Sequence, residues 1–136
     1  MNILMLCNKS PYPAGEGGPM AMNSIVRGLL DAGHNVKILA VNSEKYHIKE
    51  DDIPESYKKE TGIELVDVDL RIKPIDAFKN LFSDKSYHVE RFISDNFKKK
   101  LIEILKKDKY DIVQLEMIYM APYIETIREN SNAIIV

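Results

Sequence analysis

Residues 2 to 41 constrain the fold more than any other part of this chain. They read as an apolar strand (Ile3 to Cys7), a Pro/Gly loop, a helix with one apolar face, and a second apolar strand (Val36 to Val41). A strand that is apolar on both faces is typical of the centre of a parallel sheet. The segment is therefore one βαβ unit, and ligands of such sheets bind where the loop leaves the carboxyl end of the strand.

The helix of this unit is predicted from Pro19 to Ala32. Its apolar residues recur at helical spacing, proline suits a first helical position, and Gly33 can take the left-handed conformation that ends a helix. The residues of the apolar face are Met22, Ile25, Val26, Leu29 and Leu30.

The rest of the chain alternates in the same way. We expect a short helix after Pro54, an edge strand over 63–70 and a short apolar helix face over 75–82. A long helix over 87–107, a strand over 112–115, a helix over 121–128 and a last strand over 133–136 follow. The prediction is a single Rossmann-like domain over residues 1–136, a doubly wound parallel sheet of order 3-2-1-4-5 in three α/β/α layers.

Composition excludes several classes of protein. The chain has 136 residues, a net charge of −2 and one cysteine. A single cysteine rules out an internal disulfide, and the charge gives no general attraction to nucleic acid, so no nucleic-acid partner is expected. No apolar run approaches the length of a transmembrane helix. We therefore expect a cytoplasmic protein.

The glycine loop is the first candidate site. It does not match G-x-G-x-x-G, because Met20 stands at the third glycine position, and no Gly-Lys-Ser/Thr follows. Backbone N–H groups at the helix start could still face a phosphate or a sugar oxygen, which makes Gly15, Gly17 and Gly18 candidate ligand contacts. The alternative is a tight turn that needs glycine for conformation alone.

The carboxyl ends of strands one and four supply the other candidates. Asn8 follows the first strand, and Glu116 and Met117 follow the fourth. The strand order places the two ends on either side of one crevice, so we predict that these three residues contact a substrate. Tyr119, Met120 and Tyr123 either line that crevice or pack in the core.

Three further features have competing interpretations. Asp67-Val68-Asp69 is either a metal-binding D-x-D or a solvated edge strand, and the absence of ligand clusters favours no metal. Cys7 fits a core thiol better than a nucleophile. His88 and Arg91 either line a cleft or lie on the surface of the long helix.

The quoted segments together resemble a known enzyme family. Asn2-Ile-Leu-Met-Leu, Pro11-Tyr-Pro, Gly17-Gly18 and Gly28-Leu-Leu-Asp-Ala-Gly-His-Asn-Val look like the start of a GT-B glycosyltransferase of the retaining family four. Tyr110-Asp-Ile-Val-Gln-Leu-Glu, followed by Met120-Ala-Pro-Tyr-Ile, is similar to a bacterial subgroup. The chain departs from many members at Gln114 and Glu116, where they carry a histidine.

The resemblance implies the N-terminal, acceptor-side domain of a two-domain enzyme, inactive as a fragment. No catalytic residue would lie within it, and no cofactor would be needed. Its partners would be a nucleotide-sugar donor, held mainly by an absent domain, and a saccharide or lipid-linked acceptor of cell-envelope or polysaccharide synthesis. Phe78, Leu81, Phe82 and the lysine-rich helix suggest weak peripheral contact with the inner face of the membrane. The alternatives are a stand-alone nucleotide- or flavin-binding module of flavodoxin type and a regulatory, partner-binding domain.

Overall fold

A computed structural model describes residues 1–71 and 87–136 of the chain. Within them the strands are β1 (Asn2–Cys7), β2 (Asn35–Asn42), β3 (Glu64–Asp67), β4 (Ile112–Glu116) and β5 (Ile134–Ile135). The helices are α1 (Gly17–Asp31), α2 (Glu55–Thr61), α3 (Tyr87–Glu90), α4 (Asp95–Lys107) and α5 (Ile124–Asn130). Three short 3₁₀ turns cover Glu44–Tyr46, Glu50–Asp52 and Ile118–Tyr123.

The described strands form one sheet of order β3-β2-β1-β4-β5. Every neighbouring pair is parallel, and β1 lies in the middle between β2 and β4. The predicted Rossmann-like α/β fold and its strand order are thus confirmed, with β3 at one edge. The order places β1 and β4 side by side where the chain reverses direction across the sheet, which is the usual ligand-binding position in such folds.

Alternate residues of β1 belong to the two opposite faces of the sheet. Leu4 and Leu6 pack with α4 and α5, whereas Ile3, Met5 and Cys7 pack with α1 and α2. The strand has period two, so each face receives every second side chain, and both faces are apolar because both are covered. Cys7 is a buried core thiol, as predicted. Its burial raises the pKa of the thiol, and the Glu116 carboxylate adds to the rise.

The expected single helix over residues 87–107 is wrong. Helix α3 ends at Glu90, and α4 begins at Asp95 after an extended Ser94 whose hydroxyl accepts a hydrogen bond from the Phe97 N–H at 3.3 Å. Serine at this position satisfies one of the open N–H groups of a helix start, so the break is encoded by a cap inside an otherwise helical pattern. Ile93, which lies between the two helices, is 58% exposed.

Other bounds differ at the ends of elements. Strand β3 is shorter than residues 63–70, and residues 118–123 form a 3₁₀ turn before α5, so the helix predicted over 121–128 begins later. Pro122 lies within that turn. The apolar helix face predicted over 75–82, with Phe78, Leu81 and Phe82, lies outside the described residues. Within residues 1–71 and 87–136, no helix is both long enough and apolar enough to cross a membrane.

Candidate functional site

A cavity of about 690 Å³ opens at the carboxyl edge of the sheet and is here called the edge cavity. It spans the ends of β1, β2 and β3 and reaches the segments before α4 and after β4. Its described lining consists of Asn8, Lys9, Ser43, Glu44, Lys45, Tyr46, Leu70, Arg71, His88, Arg91, Phe92 and Tyr119. The volume falls within the range of about 300–1,000 Å³ that is usual for small-molecule sites.

Positive charge dominates this lining. Four cationic side chains, on Lys9, Lys45, Arg71 and Arg91, face the cavity with one carboxylate, on Glu44. Arg71 also makes a two-point contact with Asp69, at 2.9 Å from Nε and 2.9 Å from Nη2, so part of its charge is compensated within the protein. Lys45 has no ion-pair partner among the described residues, and its ammonium lies 5.0 Å from the centroid of the Tyr46 ring.

Aromatic rings supply the apolar part of the lining. Phe92 and Tyr119 stack with centroids 4.7 Å apart and an angle of 20° between the rings. Phe92 is fixed from behind, because its carbonyl accepts a hydrogen bond of 2.6 Å from the Tyr123 hydroxyl. That hydroxyl also accepts one of 3.0 Å from the Ser94 N–H. The break between α3 and α4 therefore positions one wall of the edge cavity.

A second, smaller cavity of about 310 Å³ adjoins the first and is called the loop cavity. Its lining includes Ser10, Pro13, Gly15 and Glu16 from the loop before α1, and Pro19 from the first turn of α1. It also includes Tyr46, His47 and Ile48 after β2. Lys9 and Tyr46 line both cavities, so they form the wall between them.

The predicted contact residues all lie at this edge of the sheet but not in one cavity. Asn8 lines the edge cavity and Gly15 lines the loop cavity. Glu116 ends β4 opposite Cys7 and accepts a hydrogen bond of 2.5 Å from the Gln114 amide. Met117 follows with φ 75° and ψ 149° and is 58% exposed. This backbone conformation is almost restricted to glycine, so Met117 carries strain beside the crevice.

Gly17 and Gly18 are not turn formers of the expected kind. Both belong to the first turn of α1, whereas the glycines with positive φ are Gly33 and Gly62 within the described residues. A Cβ on Gly17 would meet nothing within 4 Å. A Cβ on Gly18 would lie 3.1 Å from Cε of Lys9, so this glycine allows the lysine stem to lie against the helix.

The residues with competing interpretations make the following contacts. Asp67 accepts a hydrogen bond of 2.9 Å from Asn42, and Asp69 pairs with Arg71, so protein groups engage both carboxylates of the D-x-D. Within the described ranges, no three His, Cys, Asp or Glu side chains group as metal ligands. His88 and Arg91 line the edge cavity, as one interpretation expected. Tyr119 lines it too, whereas Met120 and Tyr123 are buried in the core.

Sequence reasoning missed the cations that follow the strands. Lys9 comes two residues after β1, Lys45 three after β2 and Arg71 four after β3. Since the carboxyl ends of parallel strands share one edge, basic residues placed just after them must converge there. The recurrence of a basic residue shortly after each of three strands was therefore the sequence signal that could have located these cations.

Comparisons with known proteins overturn the family identification. No family model matches the chain, and no curated protein matches it. A solved structure similar to it is described as a predicted subunit of tRNA methyltransferase from Methanocaldococcus jannaschii DSM. The sequences are 14% identical and the TM-score is 0.40, with 100% of this chain and 66% of that protein covered.

The identification as a family-four glycosyltransferase, and the transferase activity inferred from it, are therefore wrong. The segments that suggested the family include the strands β1 and β4, the start of α1 and the helix stop at Gly33, where φ is +80°. Such residues are needed by any βαβ unit that opens a parallel sheet. They identify the Rossmann-like α/β fold and no chemistry.

Proposed function

We propose that this chain binds a phosphate-bearing ligand of the nucleotide or flavin class in the edge cavity. The observation that carries the proposal is the combination of four cationic side chains with stacked aromatic rings in one cavity, at the sheet edge beside the β1–β4 reversal. Cations there attract phosphate, and open parallel sheets bind nucleotides at this position.

The two ends of the lining suit the two ends of such a ligand. Lys9 and Lys45, after β1 and β2, offer ammonium groups to phosphate oxygens, and hydrogen bonds between charged partners are the strong ones. Tyr119, which is partly exposed and stacks on the buried Phe92, offers aromatic surface to a planar ring. The buried Oδ1 of Asn8 has no hydrogen-bond partner among the described residues, and a ligand hydroxyl or amine could satisfy it.

Calorimetric titration with ADP, FMN and adenosine tests the proposal. ADP or FMN should bind more tightly than adenosine, and the difference should shrink as salt is added, because the phosphate contacts are electrostatic. Lys45→Met should weaken binding of the phosphate-bearing ligand about tenfold, since a hydrogen bond to a charged group contributes roughly 1.5 kcal/mol.

Lys106→Met is the matched control. Lys106 lies in the last turn of α4, just before β4 begins, and is therefore at the opposite edge of the sheet. Lys106→Met changes the net charge by the same amount as Lys45→Met, and Lys106 does not line the edge cavity. Equal weakening by both substitutions, or no binding of ADP and FMN at millimolar concentration, would refute the proposal.

A further inference from the structure

Lys9 lies at the boundary of the two cavities and contacts the residue before α1, the first turn of α1 and the segment after β2. Its ammonium lies 3.2 Å from Oε2 of Glu16 and 4.3 Å from the centroid of the Tyr46 ring. The missing side chain of Gly18 makes room for its stem. The side chain is 17% exposed, so most of its length is packed while its charge still borders the edge cavity.

Glu16 differs from Lys9 in being weakly held. Its side chain is 61% exposed, and the pair with Lys9 is the only ion pair or hydrogen bond that it makes with described residues. Glu16 directly precedes α1, yet its side chain makes no hydrogen bond to the helix N–H groups, and the first turn of α1 contains no acidic residue. A carboxylate is favoured at a helix N-terminus, so Glu16 has a second position available close to the one it occupies.

An anion in the edge cavity must therefore compete with Glu16 for Lys9. We infer that Glu16 is a built-in competitor that lowers the affinity of the edge cavity for phosphate and is displaced from Lys9 when phosphate binds. The inference rests on the proposed function and adds its regulation. The displaced carboxylate can move toward the α1 N-terminus, which also changes the wall of the loop cavity, since Glu16 lines it.

The experiment measures the affinity for inorganic pyrophosphate, which probes the cations without the aromatic rings. Glu16→Gln removes the competing charge and keeps the size of the side chain. Because a half-exposed ion pair of this kind is weak, the dissociation constant should fall about threefold to fivefold. Lys9→Met should weaken pyrophosphate binding. Adding Glu16→Gln to Lys9→Met should not raise the affinity, because the ammonium for which Glu16 competes is then absent.

Glu55→Gln is the matched control. Glu55 is 75% exposed and pairs with Lys58 at 2.9 Å, so its substitution changes the net charge and breaks an exposed ion pair as Glu16→Gln does. It should leave pyrophosphate affinity unchanged. Equal affinities of the Glu16→Gln and Glu55→Gln proteins would overturn the inference, as would a gain from Glu16→Gln that persists in the Lys9→Met background.

These outcomes separate the two proposals. If the unsubstituted chain binds pyrophosphate and Glu16→Gln changes nothing, the competition is refuted while phosphate binding stands. If the unsubstituted chain binds neither pyrophosphate nor ADP, both fail together. Urea unfolding of each variant shows whether its fold is intact, and the exposure of Glu16 predicts that it will be.

Discussion

Tyr123→Phe removes a single oxygen atom that connects the segment after β4 to the break between α3 and α4. The hydroxyl donates to the Phe92 carbonyl at 2.6 Å and accepts from the Ser94 N–H at 3.0 Å, and the side chain is only 2% exposed. The phenylalanine ring can keep the contact with Phe97, whose centroid lies 4.8 Å away. The substitution therefore tests the two hydrogen bonds and almost nothing else.

The expected loss follows from those two bonds. Each contributes about 0.5–1.5 kcal/mol net, and leaving a buried partner unsatisfied costs about 1–3 kcal/mol. The free energy of unfolding should fall by roughly 2–4 kcal/mol, a large share of the 5–15 kcal/mol typical of a domain. Binding of ADP should also weaken, because Phe92 and Arg91 line the edge cavity next to the lost contact.

Urea unfolding followed by far-UV circular dichroism measures the loss. The control is Tyr110→Phe, since the Tyr110 hydroxyl makes no hydrogen bond with a described residue and its removal should cost little. A loss below about 0.5 kcal/mol for Tyr123→Phe, or one equal to that of the control, would mean that the two bonds contribute nothing net and would refute the reasoning.

Further predictions concern backbone conformation and pH. Gly17→Ala should raise the free energy of unfolding by about 0.5–1 kcal/mol, because the added Cβ would meet nothing within 4 Å. Gly33→Ala should lower the free energy of unfolding by about 1–2 kcal/mol, because φ is +80° at that residue. Met117→Gly should raise it by about 1 kcal/mol by relieving strain; a decrease would show that no strain is stored. Burial raises the pKa of Tyr57 and of Tyr123 to about 12. The folded state therefore favours their protonated forms. The free energy of unfolding should keep this contribution below the unfolded pKa of about 10 and lose it as the pH rises toward 12. The loss should be less steep in the Tyr57→Phe protein than in the unsubstituted chain.

The fold could be predicted because its signals are local and repeated. The doubly apolar pattern of β1, the helical spacing of α1 and the glycine at its end each point to one element, and their alternation leaves few topologies. The break at Ser94 was missed because apolar residues on both sides continue the helical spacing. The Ser94 cap starts the second helix, and the Tyr123 hydroxyl, 29 positions away in the chain, binds the Ser94 N–H, a contact that no periodicity reveals.

The residues predicted to contact a ligand lie at the same edge of the sheet as the edge cavity, but Lys9, Lys45 and Arg71, which line that cavity, were not among them. Gly17 and Gly18 were predicted as ligand contacts, and their backbone conformation is ordinary, since φ is not positive at either residue. The charges that define the edge cavity come from Lys9, Lys45 and Arg71, each in an irregular segment just after a strand. Irregular segments carry no periodic signal, so their residues can be located only once the strand ends are known.

The family resemblance was misleading because it rests on residues that form the regular elements of the fold and not on those in the irregular segments after the strands. Its matching residues include Gly17 and Gly18 at the helix start and Gly33 at the helix end, which serve the βαβ unit and recur in unrelated chains of this fold. Lys9 and Lys45, by comparison, have no role in forming the strands that precede them. A residue that the fold does not require is free to serve a ligand, and a cation held at 17% exposure beside a cavity has a cost that a ligand can offset. For this chain, the evidence for function therefore lies in the residues after the strand ends, and the pyrophosphate titration examines those residues directly.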